Sequence, residues 1–161
     1  MSMVLYLKSV KPKEPEVYRS EITDIHAFMF ESRDEKDLVD FDVEFMALHY
    51  VVSKTGDLEE LTQLILYGKG AAPVSEDGGY GPAYYVGPTR IAKFASALGK
   101  FTNEEIRQHF DSKDMVDAYV GYYFTGDDEK DWNGLSTRID DLRTFVDHCK
   151  ANQFAIIGLV S

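Results

Sequence analysis

Cysteine is nearly absent from this chain of 161 residues: Cys149 is the single one, so no internal disulfide can form. Secreted domains of this size often carry several bridges, and the sequence is therefore expected in a reducing compartment. Prolines number five, apolar residues make up 44% and mean hydropathy is −0.29, which excludes a low-complexity scaffold and a disordered chain. Positive charge is also scarce. Lys and Arg total 17 against 28 Asp and Glu, a formal net charge of −11 with a pI near 4.7. Polyanions require a basic footprint, so nucleic acid is excluded as the main partner and so are anionic membrane surfaces. The longest apolar run, FAIIGLV at residues 154–160, is far short of a membrane span. The opening MSMVLYLKSV lacks the basic region and apolar length of a signal peptide. These absences lead to the expectation of an acidic, cytoplasmic, bacterial protein with one domain over residues 1–161.

What is present is a regular alternation of secondary-structure signals. Residues 3–10 read as a first strand, broken by Pro12, and Pro15 suits the first turn of a helix. Ile22, Ile25, Phe28 and Met29 continue with helical spacing. Residues 31–40 are acidic, with Arg33 and Lys36 the only cations, and read as a solvated loop. Phe41, Phe45, Leu48 and Val52 form one apolar stripe of a helix over residues 41–53. A short helix over 58–66, a glycine-punctuated loop and a short strand over 83–86 follow. Pro88 opens a helix that Gly99 ends. Thr102 and Glu105 have the spacing of a capping box, and Asp111 that of a cap for the next short helix. Residues 126–131 read as an acidic turn, and the longest helix is expected from Asn133, through Leu135, Ile139, Leu142, Val146 and Cys149, to Asn152. The final apolar run reads as a buried central strand. The expected class is α/β or α+β: a small mixed sheet covered by helices in layers.

Catalytic signatures are sparse. Gly68-Lys69-Gly70 lacks the remainder of a phosphate loop, and no serine sits in a nucleophile elbow. His26, His49, His109 and His148 never pair at i, i+3 or i+4, so neither metal nor cofactor is expected. Cys149 falls on the apolar stripe and reads as an inert core thiol. Two constellations stand out. Asp42, Met46 and His49 lie at 0, +4 and +7, along the polar edge of the second helix. The loop from Glu76 to Pro82 combines flexible glycines with Tyr80, and Tyr84 and Tyr85 follow. Asp42, His49, Tyr80, Gly81 and Tyr84 are the candidate ligand- or partner-binding residues. A further aromatic cluster, Tyr119, Tyr122, Tyr123, Phe124 and Trp132, lies beside the acidic turn and reads either as a recognition surface or as core cover over the last helix.

Asp40-Phe41-Asp42, Leu48-His49-Tyr50, Gly79-Tyr80-Gly81-Pro82-Ala83, His109-Phe110-Asp111, the long helix and the last strand together resemble the YfbM-like family of small bacterial proteins of unknown function. The resemblance runs over nearly the whole chain. It implies helices packed in layers around a mixed sheet, and no activity, cofactor or catalytic residue. Val43, Phe45, Tyr84 and Val120 depart from the pattern of that family, which bears on any site those positions form. The reading favoured is a non-enzymatic binding or regulatory protein that contacts a basic protein partner, as immunity proteins contact toxins. The alternative is a small enzyme or ligand-binding domain with a cleft lined by Asp42, His49 and Tyr80.

Overall fold

The C-terminal apolar run forms the middle of a sheet. In the computed structural model, which describes residues 3–31, 34 and 36–161, strand β5 (Ala155–Val160) lies between β1 (Leu5–Val10) and β4 (Tyr84–Val86). The edges are β2 (Leu38–Asp40), beside β1, and β3 (Ala72–Pro73), beside β4. All four pairings are antiparallel, so the sheet expected to be mixed is antiparallel throughout its described strands. Side chains alternate across the pleat. Leu5, Leu7 and Ile156 enter the larger core, while Val10, Ala155, Ile157 and Leu159 enter a smaller one on the opposite face.

The two faces are covered unequally. A short pair, α1 (Pro15–Glu21) and α2 (Ile25–Met29), covers the smaller core with Tyr18, Phe28 and Met29. The helical spacing through Ile22 does not make one helix. Ile22 leaves the helical region at φ −78°, ψ 107°, and the Asp24 carboxylate accepts from the Ala27 amide to start α2. The larger core is closed by α3 (Phe45–Ser53), α4 (Glu59–Tyr67), α5 (Pro88–Leu98), α6 (Asn103–Arg107), α7 (Ser112–Asp117) and α8 (Asp128–Asn152). Leu135, Ile139, Leu142, Val146 and Cys149 of α8 are all buried, as their spacing requires. The Thr102–Glu105 capping box and the Asp111 cap are both formed.

Three local expectations need correction. The acidic loop contains β2, which pairs Leu38 with Lys8 and Val39 with Leu7; Arg33 lies outside the described residues. The acidic turn is the start of α8, because Asp127 accepts from the Glu129 and Lys130 amides and the carboxylates behind it favour the positive end of the helix. The second helix begins with a 3-10 turn over Asp42–Glu44, and Asp42 has φ +48°. That left-handed residue takes Asp42 out of register with Met46 and His49.

Candidate functional site

The glycine loop shapes a hollow at one end of the sheet. The Asp77 carboxylate accepts from the amides of Gly79 (2.8 Å) and Gly81 (3.0 Å), and both glycines take positive φ. This turn holds Tyr80 outward, 42% exposed. Tyr80 and Gly81 face Tyr67, Pro73 and Tyr84 across a hollow of about 320 Å³. Tyr84 is a wall of it but is committed to the core. Its ring lies against Gly68 and Gly158, where an added Cβ would come within 2.4 and 2.2 Å, and its hydroxyl donates to the Ile65 carbonyl at 2.6 Å.

His49 stands behind Tyr67, ring edge to ring face, with centroids 4.7 Å apart. Its Nε2 is buried without a hydrogen-bond partner among the described residues, and burial lowers its pKa. Asp42 does not line the hollow. It is exposed, its amide donates to the Asp40 carboxylate at 2.7 Å, and its own carboxylate accepts from Val43. It follows β2, three strands from β4, which is roughly 14 Å at the usual strand spacing. The structure therefore groups Tyr80, Gly81 and Tyr84, sets His49 behind them and leaves Asp42 apart.

A larger groove, about 750 Å³, lies between β2 and α8. Leu38, Val39 and Asp40 line one side and Arg138, Asp141, Thr144, Phe145 and His148 the other. The helix residues follow a stripe one position before the core stripe. Sequence reasoning missed the groove because it missed β2. Arg138 is held by Glu44 (2.6 Å) and Asp141 (3.2 Å). Asp37 sits between Ser9, whose hydroxyl donates to it at 2.9 Å, and His148, whose Nε2 is 3.7 Å away. Nucleophile activation needs the imidazole between serine and carboxylate, so this order does not activate Ser9. Burial pushes the adjacent Cys149 thiol up to about 12, which keeps it protonated.

The aromatic cluster forms a packed knuckle between α7 and α8. Phe110 packs on Phe124 and Trp132 with centroids 5.7 and 5.6 Å away, and Tyr123 packs on Phe124 at 4.9 Å. Gly121 admits the Phe124 ring, since an added Cβ would lie 2.5 Å from it. The buried Asp131 carboxylate accepts from the Thr125 amide and hydroxyl, each at 2.9 Å, and from the Gly126 amide at 3.2 Å. The Val120 and Gly121 amides both donate to the Met115 carbonyl. Those two bonds close the end of α7 and set Tyr119 at φ +61° with 80% of its surface exposed, and the same segment exposes Tyr122 at 51% and Val116 at 44%. Residues 111–131 contain seven acidic residues and two lysines, a local charge of −5.

Among the described residues no three His, Cys, Asp or Glu side chains converge as a metal site would require, and no helix is long and apolar enough to cross a membrane. No curated protein matches the sequence. The crystal structure of YfbM from Escherichia coli, a protein of unknown function, has the same fold, with a TM-score of 0.71. The alignment covers 98% of this chain and 99% of that one, at 13% identity. The family model for DUF1877, a domain of unknown function, matches residues 1–158. The fold, shared over its full length with YfbM, and that match place the chain in the DUF1877 family.

Proposed function

We propose that this protein acts by binding a basic protein partner, without chemistry of its own, and that the knuckle is the contact surface. The observation that carries this reading is Tyr119. A bulky residue in the left-handed region costs about 1–3 kcal/mol and persists only where its surroundings impose it. Here the hydrogen bonds that end α7 impose it, and the residue they present is 80% exposed. Burial of that ring in the free protein contributes little to stability. Exposed aromatics over a packed base are common anchors of protein interfaces, and a charge-rich rim speeds encounter with an opposite charge. The local excess of carboxylates, within a chain of net −11, selects a basic partner.

Of the residues singled out in the sequence, Asp42, Tyr80 and Gly81 remain accessible to a partner, whereas Tyr84 lies against Gly158 and His49 against Tyr67. A cytoplasmic location belongs to this reading, and the single buried thiol suits a reducing compartment. Neutralising a basic toxin, as immunity proteins do, is one form such an activity takes. The test is capture from a lysate of the source cells with the intact chain and with a Tyr119→Ala, Tyr122→Ala variant. The expected result is a basic protein retained by the first, lost at high salt and lost with the variant. Equal capture by both, or a strongly acidic partner, contradicts the reading.

A further inference from the structure

The groove between β2 and α8 has the parts of a peptide cradle, and it is separate from the knuckle. Its first part is an open strand edge. Ser9 donates to the Asp37 carbonyl and Phe41 donates to the Leu5 carbonyl, so residues 37, 39 and 41 turn their backbone toward β1. Antiparallel ladders alternate, which turns Leu38 and Asp40 the other way. The Leu38 amide is taken by the Asp34 carbonyl, leaving the Leu38 carbonyl and the Asp40 amide on the outer edge. Among the described residues no strand lies beyond β2.

The second part is a helix wall. Arg138, Asp141, Phe145 and His148 step along α8 by three, four and three residues. Their ten-residue span is about 15 Å of helix, the length of four to five residues of extended chain. The third part is charge. Asp37, Asp40, Glu44 and Asp141 line or flank the groove, against Lys36 and Arg138. Arg138 pairs with Glu44 and Asp141, and the six groups together leave a surplus of two negative charges.

We infer that this groove binds an extended segment of a basic protein by strand addition to β2. The segment's backbone pairs with Leu38 and Asp40. Its alternate side chains divide between the two sides of the pleat. Those opposite Val39 turn toward α8 and meet half-buried Val39 over the edge of the buried Phe145, while those beside Asp40 turn to the other side, where a lysine or arginine meets the carboxylate. The favoured segment therefore alternates apolar and basic residues. A second copy of the chain is the poorer occupant, because it brings another net charge of −11 and the same carboxylates to the same edge. The shortness of β2 limits pairing to a few residues and guards against open-ended association.

The test is an NMR titration of the full-length ¹⁵N-labelled chain with the capped peptide Lys-Val-Lys-Val-Lys-Val-Ser. Two control peptides carry N-methyl groups on alternate amides, or glutamate in place of every lysine. Amide shifts are expected in residues 36–41 and 138–149, with about tenfold or greater weakening for each control peptide. Thr144→Trp, at an exposed wall position, should weaken binding by a similar factor. Asp40→Asn, which keeps an acceptor for the Asp42 amide, should weaken the lysine peptide at low salt and serves if Thr144→Trp fails to fold. Tyr119→Ala should leave this binding unchanged, so failure of the knuckle reading and failure of this one are distinguishable. The inference is overturned by no shift at millimolar peptide, by equal binding of the N-methylated peptide, by shifts centred on residues 114–132, or by self-association through the same amides.

Discussion

Tyr84 and Tyr119 sit in regions that use an aromatic ring in opposite ways. Tyr84, 5% exposed, fills the space left by two glycines and gives its hydroxyl to the Ile65 carbonyl. Burial pushes its pKa well above the usual tyrosine range. Folding accounts for the ring, the hydroxyl and both glycines. Around Tyr119 folding accounts for the base and not for the ring. Phe110, Phe124, Trp132 and Asp131 build a frame, and the turn that ends α7, where the Val120 and Gly121 amides donate to the Met115 carbonyl, holds an exposed tyrosine in a left-handed conformation. A side chain explained by packing says little about function. A side chain that packing holds in place and leaves uncovered marks where to look for a partner.

The sharpest way to break this contrast is Tyr84→Ala, which should destabilise the protein by about 3–5 kcal/mol in urea unfolding. A loss below about 1 kcal/mol would show that the ring is not structural. Gly158→Ala follows, at about 1–3 kcal/mol, because the new methyl meets the Tyr84 ring; pairing it with Tyr84→Ala should recover part of the loss. Asp131→Asn should cost about 1–3 kcal/mol, since the new amide cannot accept the same three hydrogen bonds. It should also loosen the knuckle, read as new amide exchange in residues 119–126.

His49 adds a smaller, pH-dependent term. Burial lowers its folded pKa, so the unfolded chain binds its proton more readily. Its contribution is constant above the unfolded value near 6.5 and declines as pH falls through that value toward the lower folded pKa. His49→Gln should flatten that slope in urea midpoints measured between about pH 5 and 8. An unchanged slope would place the titration elsewhere. Smallest of all is Tyr119→Gly, which should change stability by no more than about 1 kcal/mol and in the stabilising direction, because glycine accepts positive φ.

The parts of this molecule legible in its sequence are those whose cause is local. The α8 stripe, the Thr102–Glu105 box and the Pro88 start each arise within one or two turns of chain, and each is where the sequence places it. Strand β5 was also legible, because its two buried faces leave an unbroken apolar run. Strand β2 was not. Leu38-Val39-Asp40 is a strand because Leu7 and Lys8, some thirty residues earlier, lie alongside it. The groove built on β2 was hidden for the same reason. The line from Asp42 to His49 failed at one backbone angle, the φ of +48° at Asp42. The start of α8 was legible in principle, since Asp127 and the acidic residues after it are a helix-start pattern. For the candidate site, the glycines around Tyr80 signalled the turn they form, but no local pattern showed that His49 would stand behind Tyr67.

The claim that Tyr119 serves a partner and not the fold is tested most directly by calorimetric titration of the captured basic protein into the intact chain and into Tyr119→Ala. The account predicts a loss of affinity of about tenfold or more, with the urea midpoint of the variant unchanged. Equal affinity for the two, or a loss of affinity matched by a loss of stability, would contradict it.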